Sequence, residues 1–153
     1  MSLQYNCYKG KGGRFGAAQF SLKFPSFGDV GEGEPGCVFL NITSATAPDV
    51  YDWTKKIVFA LSVNDLSQLL FGMKTGTETK LYHDPGAKSE NAGAVKKTLW
   101  FCSPKGTLEG GILTVSQQKG EEQLKHTVPL QGYELVALIT LFEAAIPICL
   151  DWV

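Results

Sequence analysis

Alternating apolar and polar residues along the chain predict two runs of four β-strands, and each run is followed by a helix. The strands are expected near residues 5–11, 18–24, 37–43, 52–62, 77–83, 94–103, 110–118 and 123–129. Between the two runs, Leu66, Leu69 and Leu70 recur at helical spacing. Ser62 or Asn64 can cap the start of this short helix. A longer, largely apolar helix is expected from residue 131 to about residue 150.

This order of elements predicts an α+β fold with two antiparallel sheets and the helices segregated to one side. The length, 153 residues, allows one domain with its own core, so residues 1–153 are interpreted as a single domain. The last helix carries apolar residues on most of its sides. We therefore expect it to be buried by its own domain and by a neighbouring subunit, although a wholly internal helix in a monomer is the alternative.

The stretch Tyr51–Val63 combines aromatic, basic and aliphatic residues. If it forms one continuous strand, Trp53 and Lys55 share a face with Ile57 and the apolar positions that follow. Lysines that meet phosphates and rings that meet bases are typical of proteins that bind single-stranded nucleic acid. The alternative is an ordinary half-buried strand whose lysines are solvated.

A second candidate cluster lies near the N-terminus, on the first predicted strand and its turn. Three cations and two aromatic rings occur within eight residues: Tyr8, Lys9, Lys11, Arg14 and Phe15. The intervening glycines would allow a phosphate to approach the backbone. The cluster is a candidate nucleic-acid contact, and a solvated hairpin is the alternative.

Further candidates come from strands that carry adjacent lysines, since neighbouring residues in a strand point to opposite faces. Lys55, Lys97 and Trp100 are retained as binding candidates, with Lys96 on the same face as Trp100. The sequence leaves open which face meets the ligand. Trp152 follows the last helix and is expected to pack rather than to bind.

Several motifs follow one another along the chain in a recognisable order. They are Y-K-G-K at Tyr8–Lys11, Y-D-W-x-x-K-x-V-F-x-L-S-V at Tyr51–Val63, Tyr82–Pro85, Lys88–Ser89, Val95–Leu99 and a final helix with Phe142, Pro147 and Trp152. In this order and spacing the chain resembles the Whirly family of single-stranded-DNA-binding proteins. The chain departs from that family after Y-K-G-K, where the family continues with small apolar residues and this chain has Gly12-Gly13-Arg14-Phe15.

The resemblance implies two four-stranded sheets packed crosswise, with the ββββα unit occurring twice, and assembly into a cyclic homotetramer. It also implies binding of single-stranded DNA with little sequence specificity, in replication, recombination or repair. In the family the K-G-K strand is tied to DNA binding, so Lys9 and Lys11 are expected to contact phosphates. The departure suggests a distant or non-plant member, from a bacterial or phage-infected cytoplasm. An organelle is the alternative if a targeting leader has been removed.

Charge is distributed unevenly along the chain. The net charge is −1, which argues against a strongly electrostatic binder of duplex DNA but is compatible with stacking on single strands. The first 105 residues hold 12 lysines and arginines against 9 aspartates and glutamates, and the last 48 hold 2 against 6. Alternative functions are an RNA-binding or annealing factor, a transcription regulator of the same fold, and a protein whose sheets only build an oligomer.

No cofactor, metal site or catalytic site is expected. The four cysteines form no C-x-x-C pair, and residues 31–36 match the dinucleotide fingerprint only formally, because a strand follows them instead of a helix. A nuclease that uses His83 and Asp84 is the weakest hypothesis, since strand neighbours point apart. The apolar region at residues 135–150 is interrupted by polar residues and Pro147, so no membrane span is expected.

Overall fold

The first sheet is formed by four antiparallel strands that are neighbours in chain order. The computed structural model describes residues 3–28, 33–84 and 93–152, so the motif residues Gly31, Pro85 and Lys88–Ser89 lie outside the described part. The strands are β1 (Tyr5–Tyr8), β2 (Gly16–Lys23), β3 (Cys37–Ala47) and β4 (Ile57–Leu61). Two-residue strands extend this half of the chain: Val50–Tyr51 pairs with the end of β3, and Ser26–Phe27 pairs with Gly33–Glu34.

The second sheet repeats this plan, again with sequential antiparallel neighbours. Its strands are β5 (Thr79–His83), β6 (Val95–Cys102), β7 (Gly111–Lys119) and β8 (Glu122–Leu130). Helix α1 (Val63–Thr75) joins the two sheets, and α2 (Gly132–Cys149) follows the second. The predicted α+β fold with two antiparallel sheets is confirmed, and the short Val50–Tyr51 strand adds a fifth member to the first sheet.

Both helices begin where the sequence offers reciprocal caps. At α1, Ser62 Oγ accepts from the backbone N–H of Asp65, and Asp65 Oδ2 accepts from the N–H of Ser62 at 3.0 Å. Gly76 ends α1 in the left-handed region, with φ of 74°. At α2, Glu134 Oε1 accepts from the N–H of Gln131 at 2.9 Å. These caps satisfy backbone donors that the first turn of a helix leaves unpaired.

The inner faces of the two sheets and both helices share one apolar core. Its fully buried large side chains include Leu40, Phe59, Phe101, Leu113 and Phe142, which come from both sheets and from α2. Because side chains alternate along a strand, this burial turns every second residue of each sheet to the outer face.

The predicted strand over residues 52–62 is wrong in its first half. Trp53–Lys55 forms a single turn of 3₁₀-helix, and the strand begins only at Ile57. Asp52 causes the turn, because its carboxylate accepts from the backbone N–H of Thr54 at 3.1 Å and from the Thr54 hydroxyl. Trp53 and Lys55 therefore do not share a strand face with Ile57.

The ends of the chain also differ from the predictions. The first strand ends at Tyr8, so Lys9 and Lys11 lie in the β1–β2 turn rather than in the strand. Trp152 is expected from the sequence to pack, but 80% of its surface is exposed.

Helix α2 is long and apolar. With 18 residues and a mean hydropathy of 1.6, it is long and apolar enough to cross a membrane, a criterion that core helices of globular proteins also meet. Its Phe142 packs edge-on against Phe20 of β2, with ring centroids 5.8 Å apart. This contact places α2 against the first sheet as part of the core.

Gly16 provides a test of the β2–β3 pairing. A Cβ atom at Gly16 would lie 1.8 Å from the carbonyl oxygen of Thr43 on β3, whereas a Cβ at Gly12 in the same hairpin would meet nothing within 4 Å. We expect Gly16→Ala to lower the free energy of unfolding by about 1–3 kcal/mol, because backbone must move to relieve the overlap. Urea unfolding with an unchanged m-value measures this. Gly12→Ala is the matched control, and equal losses in the two variants would contradict the explanation.

Candidate nucleic-acid interface

Three aromatic rings form a row at one end of the first sheet. Tyr8 at the end of β1 lies 5.6 Å from Tyr51, and Tyr51 lies 6.3 Å from Trp53, measured between ring centroids. Tyr8 is exposed, and the other two are partly exposed. We name Tyr8, Tyr51 and Trp53 the aromatic row. It combines two sequence-predicted candidates with one residue, Tyr51, that is not among them.

The glycine of the Y-K-G-K motif makes room for the centre of the aromatic row. The N–H of Gly10 donates to the Tyr51 hydroxyl at 2.8 Å. A Cβ atom at Gly10 would lie 2.7 Å from the Tyr51 ring, closer than a carbon contact allows. Gly10 also accepts through its carbonyl from the N–H of Asp49 at 2.8 Å. These contacts join the β1–β2 turn to residues 49–51.

Exposed cations lie in the two turns that carry the aromatic row. Lys11 and Arg14 are exposed in the β1–β2 turn, and the Arg14 guanidinium lies 5.1 Å from the centroid of the Phe15 ring. Lys55 is exposed in the last turn of the 3₁₀-helix that begins with Trp53. Both turns therefore present positive charge beside stackable rings, the combination that single-stranded nucleic acid requires.

Lys9 differs from the exposed Lys11, Arg14 and Lys55 because its side chain is largely buried. Its side chain, 17% exposed, pairs through its ammonium with the carboxylate of Glu134 in the first turn of α2. Burial alone would raise the pKa of Glu134, but hydrogen bonds from Lys9 and from the backbone of Gln131 lower it below its usual range. Burial, together with a hydrogen bond to Glu134, raises the pKa of Cys7 to about 12. Lys9 thus links β1 to α2, and its contact with phosphate stays a prediction.

The two candidates on β6 lie on opposite faces of the second sheet. Lys97 points to the inner side, where its ammonium donates to the carbonyl of Val58 on β4 at 2.6 Å, and burial lowers its pKa. Trp100 lies on the outer face, 41% exposed, and its indole Nε1–H donates to Glu78 at 2.7 Å. Lys97 connects the two sheets, and its role as a phosphate contact stays a prediction.

A buried histidine holds the turn that carries Lys55. His126 of β8 lies 2.7 Å from the carbonyl oxygen of Lys55 through Nε2 and 2.6 Å from Ser44 Oγ through Nδ1. Because a carbonyl oxygen only accepts, Nε2 carries the proton, and in the neutral ring Nδ1 accepts from the Ser44 hydroxyl. Burial lowers the pKa of His126. The neutral ring therefore satisfies both of its partners.

The imidazole of His83, the candidate base of the nuclease hypothesis, contacts Asp65 and Phe59. Its Nε2 lies 2.8 Å from Asp65 Oδ2, the oxygen that also caps α1, and its ring stacks on Phe59 at 4.0 Å. These contacts tie β5 to α1 and to the core. Among the described residues, no group of three or more His, Cys, Asp or Glu side chains could hold a metal ion.

Comparison with known proteins places the chain in a family. A family model described as the Whirly transcription factor matches residues 7–141. The chain belongs to the Whirly family. It is 30% identical to the mitochondrial single-stranded DNA-binding protein WHY2 of Arabidopsis thaliana, over 97% of this chain and 63% of that protein. A chloroplastic relative, WHY1 of Solanum tuberosum, is 28% identical and is matched over 54% of its length, so the chain spans between half and two thirds of these curated relatives.

Solved Whirly structures share the fold. The crystal structure of WHY1 from Arabidopsis thaliana superposes with a TM-score of 0.86 at 26% identity, covering 99% of this chain and 87% of that one. The plant transcriptional regulator PBF-2 gives a TM-score of 0.80 at 27% identity, covering 99% and 84%.

Two residues of the candidate interface, Tyr51 and His126, are not predicted from the sequence. Tyr51 is part of the Y-D-W motif in the sequence, but it is not among the predicted binding candidates, and its contact with Gly10 spans 41 residues. His126 has no local pattern to reveal it, because both of its partners come from the other half of the chain. Only the packing of the two sheets brings His126 next to Ser44 and Lys55.

The state of His126 predicts a pH dependence of stability. The pKa of His126 is lower in the folded protein than in the unfolded chain. Its contribution to the free energy of unfolding is therefore fully present above about pH 6.5 and is lost as pH falls towards the folded-state pKa. Between about pH 7.5 and 5.5, the urea midpoint of the wild type should therefore fall more than that of His126→Gln. Glu134, with its lowered pKa, titrates below this window and does not interfere. Parallel curves for the two proteins would rule out this role of His126.

Proposed function

We propose that this protein binds single-stranded DNA with little sequence preference. The observation that carries the proposal is the aromatic row of Tyr8, Tyr51 and Trp53, with exposed cations on the turns at both ends. Membership of the Whirly family supports it, as does the name of the WHY2 relative as a single-stranded DNA-binding protein.

The mechanism combines stacking with charge neutralisation. Bases stack on the exposed ring faces, and each stacked base contributes about 1–3 kcal/mol. Lys11, Arg14 and Lys55 neutralise phosphates, and Phe15 supports the Arg14 guanidinium. In a duplex the base faces are stacked on one another, so its phosphates could bind the cations but its bases could not stack on the aromatic row. With a net charge of −1 the protein should bind duplex DNA weakly.

The biological role proposed is to coat exposed strands in replication, recombination or repair. Regulation of transcription is the alternative, favoured by the similarity to the plant transcriptional regulator PBF-2. RNA is the alternative ligand, and competition between matched DNA and RNA strands distinguishes the two through the 2′-hydroxyl. The mitochondrial and chloroplastic names of the relatives favour an organelle over the bacterial or phage-infected cytoplasm.

The activity proposed is binding without catalysis. The candidate base His83 is held by Asp65, and that carboxylate is already used as a helix cap. The contacts of Asp65 with His83 and with the N–H of Ser62 stabilise the start of α1 and its packing on β5.

We also propose assembly into a cyclic tetramer through α2. Tyr133, Val136 and Leu141 are exposed on this helix although they are apolar or aromatic. A groove of 360 Å³ with almost entirely apolar walls lies beside it, between Leu141 and Leu22. Apolar surface on an amphipathic or apolar helix is usually covered by a partner. Several binding surfaces in one ring would raise the avidity for a long strand.

The DNA-binding proposal predicts a change in salt dependence. By fluorescence anisotropy, the wild type should bind a dT30 strand better than a duplex of the same length. The double variant Lys11→Ala, Arg14→Ala should lower the slope of log K against log salt by about 1.4, because two phosphate contacts are lost at about 0.7 each. Lys105→Ala removes an exposed lysine from the β6–β7 loop, outside the two turns that carry the aromatic row, and should leave the slope unchanged. A wild type that prefers the duplex at low salt would refute the proposal.

The assembly proposal predicts that a charge on α2 breaks the oligomer. Leu141→Glu should convert tetramers to smaller species in light scattering, because an ionised carboxylate is costly to bury at an apolar interface. Thr107→Glu, in the exposed β6–β7 loop, adds the same charge and should leave the mass unchanged. A monomeric wild type, or a tetrameric Leu141→Glu variant, would contradict the proposed interface.

A further inference from the structure

A cleft lies at the margin of the two sheets, between the edge strands β4 and β5. It has a volume of 520 Å³, which lies within the range of sites for small molecules. Its walls are formed by Val58, Ala60, Tyr82, His83, Asp84 and Lys97. Lys97 is the only lysine among these wall residues of the described chain, so the cleft presents a single amine.

The amine of Lys97 is partly buried without an anionic partner. Its Nζ donates to the neutral carbonyl of Val58 at 2.6 Å, whereas the buried ammonium of Lys9 is paired with the carboxylate of Glu134. No carboxylate among the residues that the structure describes forms an ion pair with Lys97. Burial therefore disfavours the charged form and lowers the pKa of Lys97, so that more of the amine is neutral and nucleophilic.

His83 stands beside Lys97 in the second sheet. The two residues lie directly opposite each other on β5 and β6, and the Cβ atoms of such a pair are about 4.5–5.5 Å apart. The imidazole is held in place by Asp65, whose Oδ2 lies 2.8 Å from Nε2, and by stacking on Phe59. Because an imidazole can both donate and accept a proton near neutral pH, His83 is a positioned acid–base group next to the amine.

We propose that Lys97 captures an aldehyde in this cleft as a covalent imine. The neutral Nζ attacks the carbonyl carbon to form a carbinolamine, whose hydroxyl leaves as water when His83 donates a proton to it. The nitrogen then returns a proton to His83, and a carbon–nitrogen double bond remains. Both hydrogens of the amine thus leave with the carbonyl oxygen as one water molecule, and the step needs no oxidant or reductant.

Two sources can supply this aldehyde. One is the ring-opened sugar of an abasic nucleotide in a bound strand, and this source rests on the proposed function. The other is a free small aldehyde, which does not. A neutral amine does not neutralise a phosphate, so this role is separate from the phosphate contact predicted for Lys97. Each site captures one aldehyde, so the protein acts as a stoichiometric binder and not as a catalyst.

Reduction of the imine with cyanoborohydride makes the adduct permanent, and mass spectrometry of peptides locates it. The wild type is incubated with pyridoxal 5′-phosphate, and separately with a dT30 strand that carries one central abasic site. Label at Lys97 should exceed that at its exposed neighbour Lys96 by more than about 10-fold, because a positioned acid–base group contributes at least about 100-fold. The rate at Lys97 should also reach its plateau at a lower pH than the rate at Lys96, since burial lowers the pKa of Lys97.

Variants test the two roles separately. Lys97→Arg should abolish the crosslink to a saturated abasic strand, because a guanidinium forms no imine under these conditions, and Lys96→Arg is the matched control that should crosslink as the wild type does. His83→Gln can still donate a hydrogen bond to Asp65 but transfers no proton, so it should slow the labelling about 10-fold or more. An unchanged rate would overturn the role of His83. Urea midpoints show which variants are folded, and the pH profile of the wild type needs no variant.

The two probes separate this proposal from the proposed function. Label at Lys97 from pyridoxal 5′-phosphate, without a crosslink to an abasic strand that binds, supports the site and identifies the free aldehyde as its ligand. Label at Lys97 in a protein that does not bind dT30 refutes the proposed function and leaves the aldehyde site standing. If Lys97 is labelled no more than Lys96 by either probe, or if Lys97→Arg crosslinks as the wild type does, the aldehyde site is refuted.

Discussion

The mutual burial of the two inner sheet faces is the constraint on which the rest of this structure depends. Once Leu40 and Phe59 from one sheet and Phe101 from the other share a core, strand alternation leaves only the outer faces, the edges and the turns for a ligand. Two polar side chains of the second sheet contact the first half of the chain: Lys97 donates to the carbonyl of Val58, and His126 contacts Ser44 and the carbonyl of Lys55. Their polar groups are satisfied, so partial burial there does not leave an unpaired donor or charge.

This constraint sorts the lysines into two groups with different roles. Lys9 and Lys97 are partly buried, and each has its ammonium engaged by an acceptor within the protein. Lys11, Lys55, Lys80 and Lys125 are exposed, with their side chains at the surface of the described chain. In a chain of net charge −1, exposed cations concentrated beside aromatic rings favour a ligand that supplies both phosphates and open base faces.

Much of the fold can be predicted from local patterns in the sequence, whereas less of the candidate site can. Alternation lies in the local sequence, so the second run of strands and α2 are predicted to within about two residues, and Ser62 is one of the two predicted caps of α1. The prediction for residues 52–62 fails because alternation persists through Trp53 and Lys55, while the Asp52–Thr54 hydrogen bonds turn the backbone. The pairing of Lys9 with Glu134 spans 125 residues, and no local pattern indicates such a contact.

The aromatic rings of the candidate interface are held in place by hydrogen bonds to the fold, and this explains how a protein with modest local charge could bind a flexible strand. The Gly10–Tyr51 hydrogen bond fixes the centre of the aromatic row, and the Trp100 indole is held by Glu78. Under the proposed function, rings that are already ordered lose less conformational entropy when a base stacks on them. In the proposed tetramer, a strand that reaches from the aromatic row of one subunit to that of the next would bind the second row as an intramolecular step, and the gain would depend on whether its length matches the span. Under that proposal, affinity should rise with strand length in steps as each row is reached. A subunit ring would repeat the aromatic row at fixed intervals, so length would contribute more to selection than base sequence.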